Sequence, residues 1–458
     1  MVNQAIFREY DIRGIVGRDL TPGVARILGR AYATHLGRFD VGEVVIGRDN
    51  RDSSPALAQA FSQGVMASGA DVIDVGTVVT PMLYFACQEL AAGGGVMVTG
   101  SHNPADYNGF KLVRQGATIH GQEIRGLYDM IQEPAFRQGQ GRYREENVTD
   151  QYFHAIVQRI RLGARPLRVV VDAGNGTAGA FAPPLLEQLG VQVVPLYCES
   201  DPTFPHHHPD PVKPSNLKDL IAKVREVKAD VGLAYDGDAD RIGVVDDQGH
   251  IIPGDILMAI FWREILPQHP DAPCIVEVKC SQALVDEIIR LGGTPIFYRT
   301  GHSLIKAKMK ELGACFTGEM SGHMFFADEY FGYDDALYAS ARLLRLLSES
   351  QETLSEMAAT MPKYDSTPEI RVDCADEDKF DVVMRLAREF KQSHRTIDVD
   401  GVRVLFPHGW GLVRASNTQP ALVVRCEADS SRHLEEIKEE MARALSSQEA
   451  VGALDWEG

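Results

Sequence analysis

A chain of 458 residues exceeds what one hydrophobic core usually organises, so three or four domains of roughly 100 to 200 residues each are expected. Its apolar fraction of 44% is ordinary for a globular protein and excludes a largely disordered chain. The formal net charge of -18 argues against nucleic-acid binding, which needs a basic face, but leaves room for a small anion held by a few local arginines.

The first residues, "MVNQAIFREYDIRG", contain no apolar h-region, and no run of about 18 apolar residues occurs anywhere. Neither export nor membrane insertion is expected. Seven scattered cysteines without a C-x-x-C pair point to neither a disulfide framework nor a zinc site, and fit a reducing cytoplasm.

Three segments then open alike: "EVVIGRDNR" at 43 to 51, "RVVVDAGNG" at 168 to 176 and "CIVEVKCS" at 274 to 281. Each is a short β-branched run ending in polar or glycine residues, the pattern of a buried strand feeding a loop. A helix-length stretch follows each, then a second strand in "SGADVIDVG", "LGVQVVPLY" and "LGGTPIFYRTG". A third strand runs each time into a polar loop: "GVMVTGSHNP", "DVGLAYDGDAD" and "GACFTGEMSGH". Alternation of this kind predicts three related α/β domains with largely parallel pairing. Their polar loops emerge at strand carboxyl ends, where open α/β sheets bind ligands, so three loops could serve one cleft. From "PEIRVDCADEDKF" onward the pattern changes to a strand, a helix, a meander and a closing helix striped by Leu434, Ile437, Met441 and Leu445. Asp429, Ser430 and Ser431 are available to cap that helix. The expected domains are 1–147, 148–250, 251–362 and a fourth, α+β domain at 363–458.

The loop "TGSHNPADYNGFK" at 99 to 111 leaves Ser101 open as a nucleophile, a phosphate carrier or a turn residue. A serine-hydrolase reading is weakened because the motif is not G-x-S-x-G, and a histidine adjacent in sequence is poorly placed as base for its neighbour. Around it, His102, Asn103, Asn108 and Lys111 could line an approach. The triple histidine of "FPHHHPDP", flanked by prolines, reads as an extended surface loop rather than a metal site.

"DGDADR" at 236 to 241 is the sharpest signal. Three alternating aspartates in a tight loop can aim oxygens at one hard cation, and crowding them without a counter-ion is unfavourable. An EF-hand fails, since its sixth position is Arg241 and its twelfth Asp247. Asp236, Asp238 and Asp240 leave an octahedral Mg²⁺ short of ligands, so a phosphate should come to them; a phosphorylated Ser101 would supply it, with Arg241 to grip it. "RTGHS" at 299 to 303 offers Gly301 and, as a proton-transfer candidate, His302. "GEMSGH" at 318 to 323 offers Glu319 and Ser321 to vicinal sugar hydroxyls, and "RASNTQP" at 414 to 420 is an ordinary phosphate-binding set.

Together "FREYDIRG", "TGSHNPADYNGFK", "DGDADR", "GEMSGH" and "RASNTQP", in that order across nearly the whole chain, resemble the α-D-phosphohexomutases. Among them the likeness is to bacterial members acting on mannose and glucose phosphates; phosphoglucosamine mutases instead resemble "GTDGIRG" near the N-terminus. The resemblance implies three α/β domains of one topology plus a C-terminal α+β domain around a central active-site cleft. It further implies a phosphoserine at Ser101 and Mg²⁺ on Asp236, Asp238, Asp240 and the Ser101 phosphate. Sugar hydroxyls would fall to Glu319 and Ser321, and the distal phosphate to Arg414, Ser416, Asn417 and Thr418. Tyr10, Arg13, Lys111, Lys279, His302 and His323 match further positions lining the family's cleft.

The expected activity is interconversion of hexose 1- and 6-phosphates through a phosphoserine enzyme and a hexose 1,6-bisphosphate, which also acts as activator. Arg13, Arg241 and Mg²⁺ would neutralise charge, and Lys111 and His302 are the acid/base candidates. For the intermediate to turn over, the Arg414 loop should belong to a mobile domain. A phosphoglucosamine mutase, a Mg²⁺-dependent sugar phosphatase and a silent sugar-phosphate sensor are the alternatives. The partners are therefore small sugar phosphates, not nucleic acid or membrane, and the acidic surface suits a monomer without excluding a dimer.

Overall fold

Val44, Val45 and Ile46 are fully buried, as an unbroken β-branched run requires when helices cover both faces of a sheet. In the computed structural model, which describes residues 2–417 and 419–456, strand Glu43–Arg48 lies parallel to Asp71–Thr77 on one side and to Gly94–Val98 on the other. The second repeat copies this arrangement: Arg168–Asp172 runs parallel to both Gln192–Leu196 and Val231–Tyr235. Helices Ser54–Ala67 and Thr80–Glu89 make the crossovers of the first repeat, and Lys218–Val227 returns the chain in the second.

In the first two repeats the third strand continues through its polar loop into an antiparallel neighbour, Gly94–Val98 into Tyr107–Arg114 and Val231–Tyr235 into Ile242–Asp246. The two polar motifs are thus turns between antiparallel strands, and Asn108 and Lys111 stand on a strand rather than in a loop. Almost all of "YNGFKLVR" is buried, which hides the apolar alternation that would have marked it. Asn108 does not line an approach: it is fully buried, and its amide donates to the Ser53 and Ser54 hydroxyls at 2.8 and 2.9 Å. Strand Ile12–Ile15 adds to the same sheet antiparallel to Tyr107–Arg114, setting Arg13 opposite Gly109.

The chain divides into two compact units. One holds the residues up to Gly254 together with Ser321–Ala359, and the other holds Asp255–Met320 with the chain from Thr360 onward. In the second unit, Pro273–Glu277 runs parallel to Thr294–Tyr298, and Thr317 Oγ1 ties the Phe316–Gly318 strand to the Ile275 carbonyl at 2.8 Å. The meander is formed by Val402–Phe406, Gly409–Ala415 and Ala421–Ala428, all antiparallel, with Ile370–Asp373 on the outer edge of the last. Helix Ser431–Ser446 buries Ile437, Met441 and Leu445 against it, and of the three offered caps it is Ser430 whose hydroxyl accepts from His433 N. No helix among the described residues is long and apolar enough to cross a membrane.

Asp335 shows how burial is tolerated in the first unit. Its carboxyl caps helix Ala336–Glu349 by accepting from Tyr338 N at 2.9 Å, and it also accepts from the hydroxyls of Tyr152 and Tyr330 at 2.9 and 2.8 Å. Burial outweighs these bonds and raises its pKa to about 6. A carboxyl whose folded pKa lies above its unfolded value stabilises the fold below the unfolded pKa and loses that contribution as pH rises through the folded one. Relative to Asp335→Asn, wild type should therefore lose about 2 kcal/mol of unfolding free energy between about pH 4 and pH 7. Urea titrations at several pH values read this difference, and parallel pH profiles would contradict it.

Candidate active site

Ser101 sits at the first turn after strand Gly94–Val98 with φ of 47°, in the left-handed region, at a cost on the order of 1 kcal/mol for a residue with a Cβ. Such strain persists only where the surroundings over-determine it. Gly237, on the aspartate loop, is part of that constraint, because a Cβ there would lie 2.4 Å from the Ser101 carbonyl oxygen. The Ser101 hydroxyl is buried and donates to Asp236 Oδ2 at 2.6 Å, which joins residues 135 positions apart. His102 Nδ1 lies 3.2 Å from Ser101 Oγ. Sequence adjacency argued against that contact; the left-handed turn at Ser101 allows it. Burial, helped by the charges of Arg241, Arg13 and Lys111, holds His102 well below the usual imidazole range, so its ring is neutral at pH 7.

Asp236, Asp238 and Asp240 are fully buried and offer oxygens that all lie within 4.8 Å of one another. The loop closes tightly enough to need Ala239 at φ of 56°. Its flanks are the strands Val231–Tyr235 and Ile242–Asp246, not the helices of an EF-hand. Lys111 enters from its strand, 2.7 Å from Asp238 Oδ2 and paired also with Asp240 Oδ2. Burial works against its charge, but Asp238 and Asp240 prevail and hold the ammonium well above its ordinary pKa. Burial likewise opposes ionisation of Asp238, yet Lys111 and the Thr80 hydroxyl at 2.5 Å keep it below the usual carboxylate range. Asp236 goes the other way, pushed well up by burial and by the Asp238 and Asp240 charges.

One ammonium does not balance three carboxylates. Among the described residues Asp238 Oδ1 and Asp240 Oδ1 are buried without a hydrogen-bond partner. Two such oxygens in a hard, all-oxygen set fit a divalent cation, Mg²⁺ best, since it takes few protein carboxylates and keeps positions for water and phosphate.

Arg241 follows the loop directly. Its backbone N donates to Asp236 Oδ1 at 3.2 Å, and its Nε donates to His323 Nε2 at 3.0 Å. That bond leaves the imidazole proton on Nδ1, which lies 3.0 Å from Asp334 Oδ2 and 3.7 Å from Asp240 Oδ1. Ser321, two residues earlier, is half-buried. Arg13 is also half-buried and donates to Asp11 Oδ2 at 2.5 Å, and Tyr10 is half-buried in the bend before its strand.

The second unit gathers a different group. Lys279 donates to Glu369 Oε2 at 2.9 Å, and Arg371 donates to Oε1 of the same carboxylate at 2.9 Å. Lys279, with Arg371 and Arg414 adding to it, outweighs burial and lowers Glu369 to about 2. Arg414 Nε donates to Asp400 Oδ2 at 2.9 Å, and Thr300 N donates to the same oxygen at 3.0 Å. Next to Thr300, Gly301 precedes helix His302–Leu312 and donates its N–H to Glu319 Oε1 at 2.7 Å, while His302 is buried in the first turn. The Ser416 hydroxyl accepts from Gln419 N at 3.2 Å, and buried Lys379 holds the loop by donating to the Ser416 and Gln419 carbonyls at 2.6 and 3.0 Å. Asn417 is half-buried in this loop; Thr418 lies outside the described residues.

The first unit thus brings together Ser101, His102, Lys111, the three aspartates, Arg241 and His323. The second unit brings together Lys279, Gly301, His302, Glu319, Arg414 and Ser416. Sequence reasoning missed Thr80, Asp334, Glu369 and Asp400, each a partner of a motif residue but outside every motif. The triple histidine lies in a loop, as expected, with His206 exposed and His207 and His208 half-buried. His207 Nε2 lies 3.0 Å from Asp172 Oδ2, His208 Nε2 donates to the His102 carbonyl at 2.5 Å, and the His206 ring stacks on Tyr197 at 3.8 Å. Three separate partners brace this loop.

Family models match the chain along its length. The alpha/beta/alpha domains I, II and III of phosphoglucomutase/phosphomannomutase match residues 4–138, 150–249 and 253–364, and the C-terminal domain matches 369–444. The phosphomannomutase/phosphoglucomutase of Pseudomonas aeruginosa is 48% identical over 435 residues, 95% of this chain and 94% of that protein. The phosphoglucomutase of Neisseria meningitidis is 45% identical over 447 residues, 96% of this chain and 97% of that one. A crystal structure of a phosphoglucomutase/phosphomannomutase family protein from Burkholderia thailandensis superposes with a TM-score of 0.94 at 42% identity, covering 99% of this chain and 100% of that chain.

Proposed function

Because this chain belongs to the phosphoglucomutase/phosphomannomutase family, we propose that it interconverts hexose 1-phosphate and hexose 6-phosphate, of glucose or mannose, through a phosphoserine at Ser101. The observation that carries this reading is the Ser101 hydroxyl held at 2.6 Å from Asp236, inside a cluster whose buried carboxylates outnumber their cation.

In each half-reaction a phosphoryl group leaves one oxygen for another: the Oγ–P bond of phosphoserine breaks as a sugar hydroxyl oxygen bonds to phosphorus. The resulting hexose 1,6-bisphosphate then returns its other phosphate to Oγ. When bound by Asp236, Asp238 and Asp240, Mg²⁺ supplies charge neutralisation at the transferring group. Arg241, oriented by His323 and Asp236, and Arg13 are assigned to the phosphoryl oxygens. His102, neutral and 3.2 Å from Oγ, is placed to give or take the proton there, and Lys111, kept charged by its aspartates, supplies a fixed positive charge rather than a base. His302 remains the candidate for the sugar hydroxyl proton.

Glu319 and Ser321 are assigned to the sugar hydroxyls, and Tyr10, Lys279, Gly301 and His323 to substrate contacts. Arg414, Ser416, Asn417 and Thr418 are assigned to the phosphate that does not react; the Lys279, Arg371 and Arg414 cations around Glu369 support an anion site in that unit. Arg414→Ala should raise KM for glucose 1-phosphate about 10- to 100-fold, at least as large a change as that in kcat. Unchanged kinetics would remove this loop from the site. The enzyme is proposed to act in the cytoplasm on free sugar phosphates, activated by hexose 1,6-bisphosphate. Incubation with glucose 1-phosphate, Mg²⁺ and catalytic glucose 1,6-bisphosphate should yield glucose 6-phosphate and no inorganic phosphate. Free phosphate without glucose 6-phosphate would make the protein a phosphatase instead.

A further inference from the structure

Arg51 is 2% exposed, and its guanidinium is committed to the backbone of the serine turn. Nη2 donates to the carbonyls of Ser101 at 2.8 Å and Asn103 at 2.6 Å, and Nη1 to those of Pro104 at 2.5 Å and Tyr107 at 3.0 Å. Behind it, Nε lies 3.2 Å from Asp49 Oδ2, which also accepts from Gly100 N at 2.9 Å. Asp49 Oδ1 accepts from Arg51 N at 3.1 Å and from the Ser54 hydroxyl. The Phe204 ring lies 5.3 Å from the guanidinium carbon. One Asp–Arg pair at the carboxyl end of strand Glu43–Arg48 therefore holds both a donor and four acceptors of the turn after the neighbouring strand.

We propose that Arg51, backed by Asp49, is a positioning residue for phosphoryl transfer: it fixes the Ser101 turn in its left-handed conformation so that Oγ meets Asp236. The proposal rests on the mutase reading above and deepens it. A planar fork is required. Four carbonyls converging on a buried point repel one another unless a group with several fixed N–H donors sits among them, and only a guanidinium offers that set in one plane. The fit is close, since a Cβ on Gly100 would lie 2.4 Å from the guanidinium carbon and Nε. Arg51 touches no reacting atom in this arrangement, so its loss should act on turnover through the placement of Ser101 and leave sugar-phosphate affinity to other residues.

The test compares Arg51→Lys and Gly100→Ala with wild type, the second displacing an intact guanidinium. Both should lower kcat about 10²-fold with KM for glucose 1-phosphate within about threefold of wild type. Uptake of phosphoryl from glucose 1,6-bisphosphate onto Ser101 should slow in parallel. Hydrogen exchange should rise at amides 100–107 while the Arg168–Asp172 strand stays protected. The exchange arm does not depend on mutase activity, so variants that exchange as predicted beside a wild type that makes no glucose 6-phosphate would fail the functional reading alone. Unchanged kcat in both variants of an active enzyme, or protection at 100–107 retained in both, would overturn the role of Arg51.

Discussion

Ser101→Ala should lower kcat by at least about 10⁴-fold, the scale expected when a covalent nucleophile is removed from a site whose binding groups remain. The loss should fall on turnover, because the groups assigned to the sugar and the distal phosphate are elsewhere in the chain. Folding should survive. The hydroxyl makes one close bond, to Asp236, whose pKa already lies well above the usual carboxylate range, and alanine keeps the Cβ that the left-handed turn already accommodates. Steady-state kinetics with a thermal melt decide the matter. A variant keeping a tenth or more of wild-type kcat would mean that phosphoryl transfer does not pass through this oxygen.

Lys111→Met should be the most destabilising single change at the site. It removes the ammonium that lies between Asp238 and Asp240 and leaves two fully buried carboxylates facing each other. Breaking such a buried pair costs about 3 to 5 kcal/mol. Because the same carboxylates are the proposed Mg²⁺ ligands, the loss should be largest in EDTA and partly restored by millimolar Mg²⁺, with a larger Mg²⁺-dependent gain than in wild type. Denaturant titrations with and without Mg²⁺ measure this. A loss of the same size in both conditions would separate Lys111 from the metal ligands.

What could be read from the sequence follows the physics of each element. Runs such as "VVIGR" and "RVVVD" are buried on both sheet faces, so composition alone marks them as strands. Tyr107–Arg114 was not recognisable, because a strand that buries an asparagine against two serines and a lysine against two aspartates carries polar residues where a core pattern expects apolar ones. The chemistry of the aspartate loop was legible as an imbalance of charge. That its partner was Ser101 followed from the missing phosphate, while the 2.6 Å contact and the backbone turn that permits it needed the structure. Arg51 shows the limit most clearly. Nothing in "GRDNR" distinguishes an arginine that binds four carbonyls from one that pairs with solvent, since its role is set by where the neighbouring strand's loop folds back.

The central claim is that Ser101 carries a phosphoryl group reversibly. The direct measurement is mass spectrometry of the Ser101 peptide after incubation with glucose 1,6-bisphosphate and Mg²⁺, before and after a chase with excess glucose 6-phosphate. One phosphoryl group is expected on Ser101, disappearing in the chase and recovered in hexose 1,6-bisphosphate. A Ser101 peptide that stays unmodified while glucose 6-phosphate is formed, or a phosphoryl group released only as inorganic phosphate, would contradict it.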